Sequence, residues 1–201
     1  MSASWPVALA LLVFSVTGAA AAPRTADPDW PCQQVKVGEL SVASYWSGPA
    51  VDAGWQQDVA VAALVRLVVQ RRLPLAEADE QIAAFARTAG ENRNRALTSV
   101  FAGVFEVLNR ERGTMLNGLD RAGKRQKALA ENLRQEGEAL RAAQAASPAD
   151  EGKLAELTQR LSWDAEFFEQ RRQSLHFACE VPTVIEQRLY ALAQAIQRLL
   201  E

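Results

Sequence analysis

The sequence predicts an all-α protein, an antiparallel bundle of about four helices with a projecting two-helix coiled-coil hairpin and an irregular N-terminal strap. Two long segments, from Glu91 to about Ala145 and from Ser147 to Leu200, carry apolar residues at alternating steps of three and four. This spacing is typical of a coiled-coil seam. Facing residues in an antiparallel hairpin have position numbers that add to a constant, and the two seams keep such a register over many turns.

The two seams pair residue by residue. The first runs through Leu97, Phe101, Val104, Leu108, Met115, Leu119, Ala122, Gln126, Leu129, Leu133 and Leu140. The second runs through Leu154, Leu157, Leu161, Phe168, Leu175, Cys179, Ile185, Leu189, Leu192, Ile196 and Leu199. The register places Leu108 opposite Ile185 and Gln126 opposite Phe168. Each arm is expected to be roughly 80 Å long at 1.5 Å per residue.

Residues 1–21 have the features of a signal peptide, because a short apolar core from Val7 to Val16 precedes small residues. We expect cleavage after Ala21, since proline directly after a cleavage site is avoided and Pro23 follows Ala22. An uncleaved anchor is the alternative, as no Lys or Arg precedes the core, and only this anchor would contact a membrane. The abundance of Ala and the excess of Arg over Lys are typical of a GC-rich genome, so a bacterial periplasm is the expected location.

The composition and length of the chain limit the classes of protein to which it can belong. A formal net charge of -2 at pH 7 argues against a nucleic-acid binder with a broad basic face. No segment after the signal is apolar for long enough to span a bilayer. The remaining length, about 180 residues, suits one domain.

The chain has two cysteines, Cys32 and Cys179. In an exported protein a disulfide between them is the economical interpretation. A redox-active thiol has little support because no Cys-x-x-Cys is present. The bridge would tie the N-terminal segment to the second arm.

Residues 22–49 are rich in Pro, Ser and Gly but too apolar for a disordered linker. We interpret them as an irregular strap that lays its aromatic side chains across the helices. A ligand-binding aromatic patch is the alternative. Its pocket would be lined by Trp30, Tyr45, Trp46 and Trp55.

Residues 50–201 form the helical domain in this interpretation. One helix is expected from about Ala50 to Leu73, with Arg66 to Arg72 at its solvated end, and a second from Leu75 to Ala89 with Gly90 after it. The long segments are densely apolar at residues 97–108 and 184–200 and sparse elsewhere. We therefore expect a base bundle from residues 50–112 and 180–201, and a hairpin arm from residues 113–179.

Three sequence features bear on helix continuity. Ser147 and Pro148 offer an N-cap and a first helical residue for the second arm. Glycines in the first arm, at Gly113, Gly118 and Gly123, each weaken a helix by about 1 kcal/mol relative to alanine. Pro182 predicts a kink or short break between residues 179 and 183.

No catalytic or metal-binding constellation stands out. His176 is the only histidine, so covalent haem attachment and a di-iron bundle both lack their ligands, and a metal site would need more donors than a bridged cysteine leaves. Glu106 and Glu186 fall near the seam, but they are expected to pair with Arg110 and Arg188 on exposed edges. We expect neither an enzyme nor a cofactor.

A basic cluster lies on the first arm, at Arg121, Lys124, Arg125 and Lys127. Such clusters are usually solvated faces, here balanced partly by Glu166 and Glu169 across the hairpin. It is the first candidate for a surface that contacts an acidic protein partner.

Two short motifs, Asp29-Trp30-Pro31-Cys32 followed by Gln34, and Cys179-Glu180-Val181-Pro182, resemble those of small exported all-helical bacterial proteins of unknown function. The resemblance is compatible with a periplasmic location and with the cysteine bridge, and it implies no activity.

The leading functional hypothesis is a non-enzymatic periplasmic interaction or scaffold module whose arm binds a protein partner. The alternative is a small-ligand binder that uses the base bundle and the strap. A homo-oligomer, in which the seam continues into another copy, is a third possibility.

Overall fold

The protein is described by a computed structural model that covers residues 27–200, so the predicted signal peptide lies outside the described residues. Within them the chain is all-α, as predicted, and contains no strand. The helices are α1 (Val59–Val68), α2 (Leu75–Thr88), α3 (Arg93–Ala145) and α4 (Glu151–Gln197). Short 3-10 helices lie at Val42–Ser44, Trp55–Gln57 and Gly90–Asn92. From residue 27 to residue 200, no helix combines the length and the apolar character needed to cross a bilayer.

The two long helices, α3 and α4, pair antiparallel along the molecule. The side-chain amide of Gln126 donates from Nε2 to the backbone oxygen of Phe168 at 3.0 Å, a pair that the sequence register placed opposite each other. Arg160 on α4 reaches Glu136 on α3 at 2.9 Å nearer the tip. Contacts far apart along the hairpin therefore follow one register.

Helix α1 is shorter than the sequence predicted. It begins at Val59 rather than near Ala50, because the Asp58 carboxylate accepts hydrogen bonds from the backbone N–H groups of Ala60 and Val61 and so caps the helix there. Gly54 just before it has φ +108, a left-handed conformation that favours glycine and interrupts any helix. The prediction of one helix from Ala50 to Leu73 was therefore wrong at both ends.

The start of α4 also differs from the prediction. Asp150 is the N-cap, and its carboxylate accepts the backbone N–H of Lys153 at 3.0 Å. Ser147 and Pro148 lie in the preceding loop instead. An aspartate at this position satisfies the free N–H of Lys153 in the first turn and also suits the helix dipole, so the serine cap is not used.

Neither long helix is broken where the sequence suggested weakness. Helix α3 is continuous through Gly113, Gly118 and Gly123, and α4 runs through Pro182 without a break. Pro182 itself is buried, with the buried Cys179 and Ile185 on either side of it. Packing on both sides of the proline offsets the one backbone hydrogen bond that it removes.

The hydrophobic core lies at the base, where α1 packs on α3 and α2 packs on α4. Its largest fully buried side chains come from α3, α4 and the two short helices, including Phe101, Ile82, Leu97, Leu108 and Ile185. On α3 this core cluster ends at Leu108. The short helices thus cover the part of the hairpin with the densest apolar surface.

Of the two glutamates near the core, one has its predicted arginine partner and the other has a different one. Glu106 pairs with Arg110, as predicted, and accepts the indole N–H of Trp55 at 2.8 Å. Glu186 pairs with Arg112, which is 3% exposed, and not with Arg188. Each carboxylate therefore has its own arginine.

Arg188 instead joins the short helices to α4. It is 7% exposed, and its guanidinium donates to the backbone oxygen of Val68 at 2.6 and 3.1 Å and to that of Leu73 at 3.0 Å. These two carbonyls lie at the end of α1 and in the turn before α2, so the arginine satisfies acceptors that the helix end leaves free. Burial lowers the pKa of Arg188 from its ordinary value.

We expect Arg188→Met to lower the free energy of unfolding by about 2 to 4 kcal/mol, because it leaves buried carbonyl oxygens without donors. Urea denaturation followed by circular dichroism measures the change. Arg198→Met is the matched control, since Arg198 pairs with Asp79 of α2 on the surface and is expected to cost under about 1 kcal/mol. Equal effects of the two substitutions would contradict this role for Arg188.

Candidate interaction surface and strap cleft

The arm of the hairpin is a rod with no core of its own. From Lys124 to Ala178 no residue is buried, although nearly all of this stretch is helical. The seam residues there, such as Leu133 and Leu161, are half-buried between two helices. Outside this narrow seam and the part that the strap crosses, the arm faces solvent, so it exposes a large surface for its length.

The predicted basic cluster lies on this rod. Arg121, Lys124, Arg125 and Lys127 are all exposed, as expected for a solvated face. Lys127 is already engaged within the chain, because its Nζ lies 3.0 Å from a carboxylate oxygen of Asp29. The predicted balance across the hairpin is not formed by the acids named: Glu169 pairs with Arg172 and Glu166 accepts from Gln170.

The strap lies across the helices and contacts both the arm and the base of the hairpin. Its beginning crosses α3 at Gly123, where an added Cβ would lie 2.0 Å from the backbone oxygen of Asp29. Its end is held near the end of α4, where Gln197 accepts from Ser47 at 2.6 Å and donates to the oxygen of Tyr45 at 3.1 Å. The strap therefore spans the hairpin from the arm to the base.

A lysine fixes the middle of the strap by charge. Lys36 lies 2.7 Å from a carboxylate oxygen of Asp120 on α3 and 3.3 Å from Asp27 on the strap itself. The hydrogen bond with Asp120 raises the pKa of Lys36 above its ordinary value. The pKa of Asp27 is lowered, chiefly by the backbone N–H of Asp29 and then by Lys36. Both groups therefore stay charged at neutral pH. The stability that the ion pairs of Lys36 contribute is lost only in strongly alkaline solution.

The predicted bridge between Cys32 and Cys179 is present. Beside it, the side-chain amide of Gln34 donates to the backbone oxygen of Cys179, and the indole N–H of Trp30 donates to the oxygen of Gln34 at 2.8 Å. The bridge closes a loop with a sequence separation of 147 residues. In the chain-entropy account such a loop contributes about 5 kcal/mol, and commonly less.

A cleft of about 440 Å³ lies between the strap and the hairpin next to this bridge. Trp30 and the bridge line one side, and Gln126, Phe168 and His176 line the other. The Oε1 atom of Gln126 is buried and has no hydrogen-bond partner among residues 27–200. That atom is closed off from solvent, so what the cleft itself offers is an aromatic wall.

The four aromatic residues proposed for a ligand pocket are not brought together. Trp46 is buried and stacks on Phe101 at a centroid distance of 4.2 Å, and Trp55 is buried against Gly103. Tyr45 packs edge-on to an α3 side chain in the same core. Of the four, only Trp30 lines the strap cleft. The tryptophans at the base serve packing.

The single histidine is exposed at the rim of the cleft and meets the ring of Phe177 edge-on, with centroids 5.7 Å apart. Within the described part of the chain, no three His, Cys, Asp or Glu side chains cluster as metal ligands would. Cys179, one turn from His176, is held in the bridge. This arrangement offers no donor set for a metal ion.

One exposed apolar surface was not predicted from the sequence. Trp163, Phe167, Phe177 and Val184 are exposed on α4, away from the seam that faces α3. The sequence does carry the signal, since these residues are spaced by four, ten and seven positions and so share one helix face. The stronger inner seam masked this second pattern.

Comparisons with protein-family models, with curated proteins and with solved structures find no match to this chain.

We expect Gly123→Ala to weaken the seat of the strap. Alanine should favour the helix by about 1 kcal/mol, but its methyl group would overlap the backbone oxygen of Asp29, so we expect a net loss of about 1 to 3 kcal/mol. Amide hydrogen exchange in residues 27–36 should become faster.

The control for this substitution is Gly118→Ala on the same helix. Nothing lies within 4 Å of a Cβ added at Gly118, so this variant should gain up to about 1 kcal/mol in urea denaturation. If both glycine variants were stabilised alike, the strap would not be seated on Gly123.

Proposed function

We propose that the protein is a non-enzymatic, exported interaction or scaffold module whose hairpin arm binds a protein partner. The observation that carries the proposal is the absence of any buried residue from Lys124 to Ala178. A segment of this length adds no side chain to the core, so its retention is best explained by what it contacts outside the chain. Export is supported by the disulfide, which persists in oxidising compartments.

The partner surface on α3 centres on Arg121, Lys124 and Arg125. Lys127 beside them is neutralised in part by Asp29, and the other three carry no ion pair that the described residues supply. Exposed cations of one sign attract an acidic protein surface and raise the rate of encounter. The attraction should weaken as salt concentration rises, because exposed charges are screened.

The arm is tested by replacing residues 134–160 with a short Gly-Ser linker. This change keeps the bridge, the strap seat at Gly123 and the basic cluster, and it removes no buried residue. The melting temperature should therefore fall by only a few degrees. A tagged full-length chain, cross-linked in its own periplasm, should capture a partner that the shortened chain does not.

Reversing the charge of the basic cluster distinguishes partner binding through this cluster from partner binding through residues 134–160 at the tip of the arm. Arg121→Glu with Arg125→Glu should weaken capture of the same partner by about tenfold or more, corresponding to about 1.4 kcal/mol. Arg66→Glu on the base is the matched control, because Arg66 is also exposed. Partner recovery that is unchanged by both the shortened arm and the reversed cluster would contradict the proposal.

A second candidate function is binding of a small molecule in the strap cleft, favoured by its volume and by the aromatic side chains of Trp30 and Phe168 that line it. Ligand sites of this size commonly combine an aromatic wall with a few polar groups. Native mass spectrometry of the chain purified from its own cells should show a bound small molecule. Trp30→Ala should lose it and Trp163→Ala, outside the cleft, should keep it; an unliganded wild-type spectrum would count against this function.

A further inference from the structure

The outer face of α4 carries exposed apolar side chains. Trp163 and Phe177 are each 73% exposed, and Val184 is 47% exposed. Together with Gln170 these residues recur every seven positions along α4, and we call this row the outer ladder. Trp163, Gln170 and Phe177 each lie two positions after a residue of the inner seam, namely Leu161, Phe168 and Leu175. Two positions correspond to about 200° around a helix, so this outer ladder lies opposite the seam.

At the base, α2 lies beside this face. The seven-residue ladder continues through Ala191, which is half-buried, to Arg198, whose guanidinium lies 3.0 Å from Asp79 of α2. Arg188 lies beside the ladder, four positions beyond Val184, and bonds the oxygen of Leu73 in the turn before α2. The face is open from the helix start at Glu151 to about residue 187.

We propose that this open face pairs with the same face of a second copy of the chain, antiparallel, with a two-fold axis beside Gln170. Residue 170 lies at the middle of the open stretch, so a second α4 fills it from end to end. Seven residues to either side of the axis, Trp163 of one copy meets Phe177 of the other, twice by symmetry. Gln170 meets its own copy, and the two amides can hydrogen-bond.

The flanking positions are polar and complementary in this register. On one side of the ladder Glu166 faces Gln173 of the other copy, and Glu180 faces Gln159. Each is a carboxylate opposite an amide donor. On the other side Phe167 faces Ser174, so these flanking positions oppose no like charges.

The position of α2 favours the antiparallel arrangement. In a parallel pair both copies would bring α2 to the same end of the interface, beside residues 188–198, where the two α2 helices would crowd each other. In the antiparallel pair, α2 of one copy lies opposite the loop before Glu151 of the other, where the second helix has ended. In the antiparallel pair, the stretch of α4 beside α2 in one copy therefore coincides with the end of α4 in the other copy.

The apolar area supports a stable contact. An aromatic side chain buries about 150 to 250 Å², and Trp163, Phe167 and Phe177 are 73%, 43% and 73% exposed. From two copies these side chains supply on the order of 700 Å² before the polar flanks are added. With those flanks the total passes the roughly 1,000 Å² of a specific interface.

Sedimentation equilibrium of the full exported chain, with its bridge intact, tests the pairing. The wild type is expected to have twice the monomer mass at micromolar concentration. Trp163→Glu with Phe177→Glu should raise the dissociation constant by about a hundredfold or more, since each substitution acts twice in the symmetric interface. Val59→Glu, on the exposed α1 residue with 79% exposure, should remain dimeric. Circular dichroism checks that every variant is folded.

Cysteine cross-linking tests the orientation without removing an aromatic anchor. Gln159→Cys and Glu180→Cys chains should form a mixed disulfide when combined under mild oxidation, and neither should cross-link alone. A wild type that stays monomeric at high concentration would overturn the pairing. Cross-linking of Gln159→Cys with itself would overturn the antiparallel register.

Discussion

The seam between α3 and α4 has to hold a single register under two different conditions. At the base, α1 and α2 cover the outer surfaces of the long helices, and residues such as Leu108 and Ile185 lose all contact with water. Along the arm nothing comparable covers them, so each turn of seam buries less apolar surface and stabilises the pair less. Helices of this length rely on tertiary packing more than on propensity. The arm therefore depends on a register that the base sets.

Polar contacts assist the seam where apolar burial is thin. Gln126 donates to a backbone oxygen across the hairpin, and Glu136 meets Arg160 near the tip. The strap also stabilises the hairpin, because it is bonded to α4 at two places, by the disulfide at Cys179 and by the side-chain amide of Gln197. These two points are separated by roughly 27 Å of helix at 1.5 Å per residue. The strap thus connects the part with a core to the part without one.

Apolar periodicity was enough to predict the all-α class, the hairpin and the pairing of Gln126 with Phe168, because a seam imposes a repeat over many turns. The disulfide could be predicted because the chain has two cysteines and was expected to be exported. Helix starts were harder to predict. The predicted cap, Ser147, and the cap in the structure, Asp150, lie within one turn of each other, and the choice between them depends on loop geometry. The partner of Arg188 could not be read at all, because backbone carbonyls at a helix end leave no mark in sequence.

The aromatic residues show a similar limit. A tryptophan in an irregular strap suits a packed core and a ligand pocket equally well by composition, and only the position of Phe101 shows that Trp46 is packing. Three of the four candidate pocket residues therefore lie in the base core, and only Trp30 lines the strap cleft. Conversely, the basic cluster was recognisable because four cations within seven residues of a helix have no buried site to occupy.

The disulfide also changes the topology of the chain. Cys32 and Cys179 close a covalent ring that contains α1, α2, α3 and more than half of α4, and only the two ends of the described chain hang outside it. The loop from Ala146 to Asp150 lies within that ring and is the exposed turn at its far end. A protease that cuts this turn would open the ring and leave two chains joined by the disulfide. The cut protein would run as a single species until a reductant separated it.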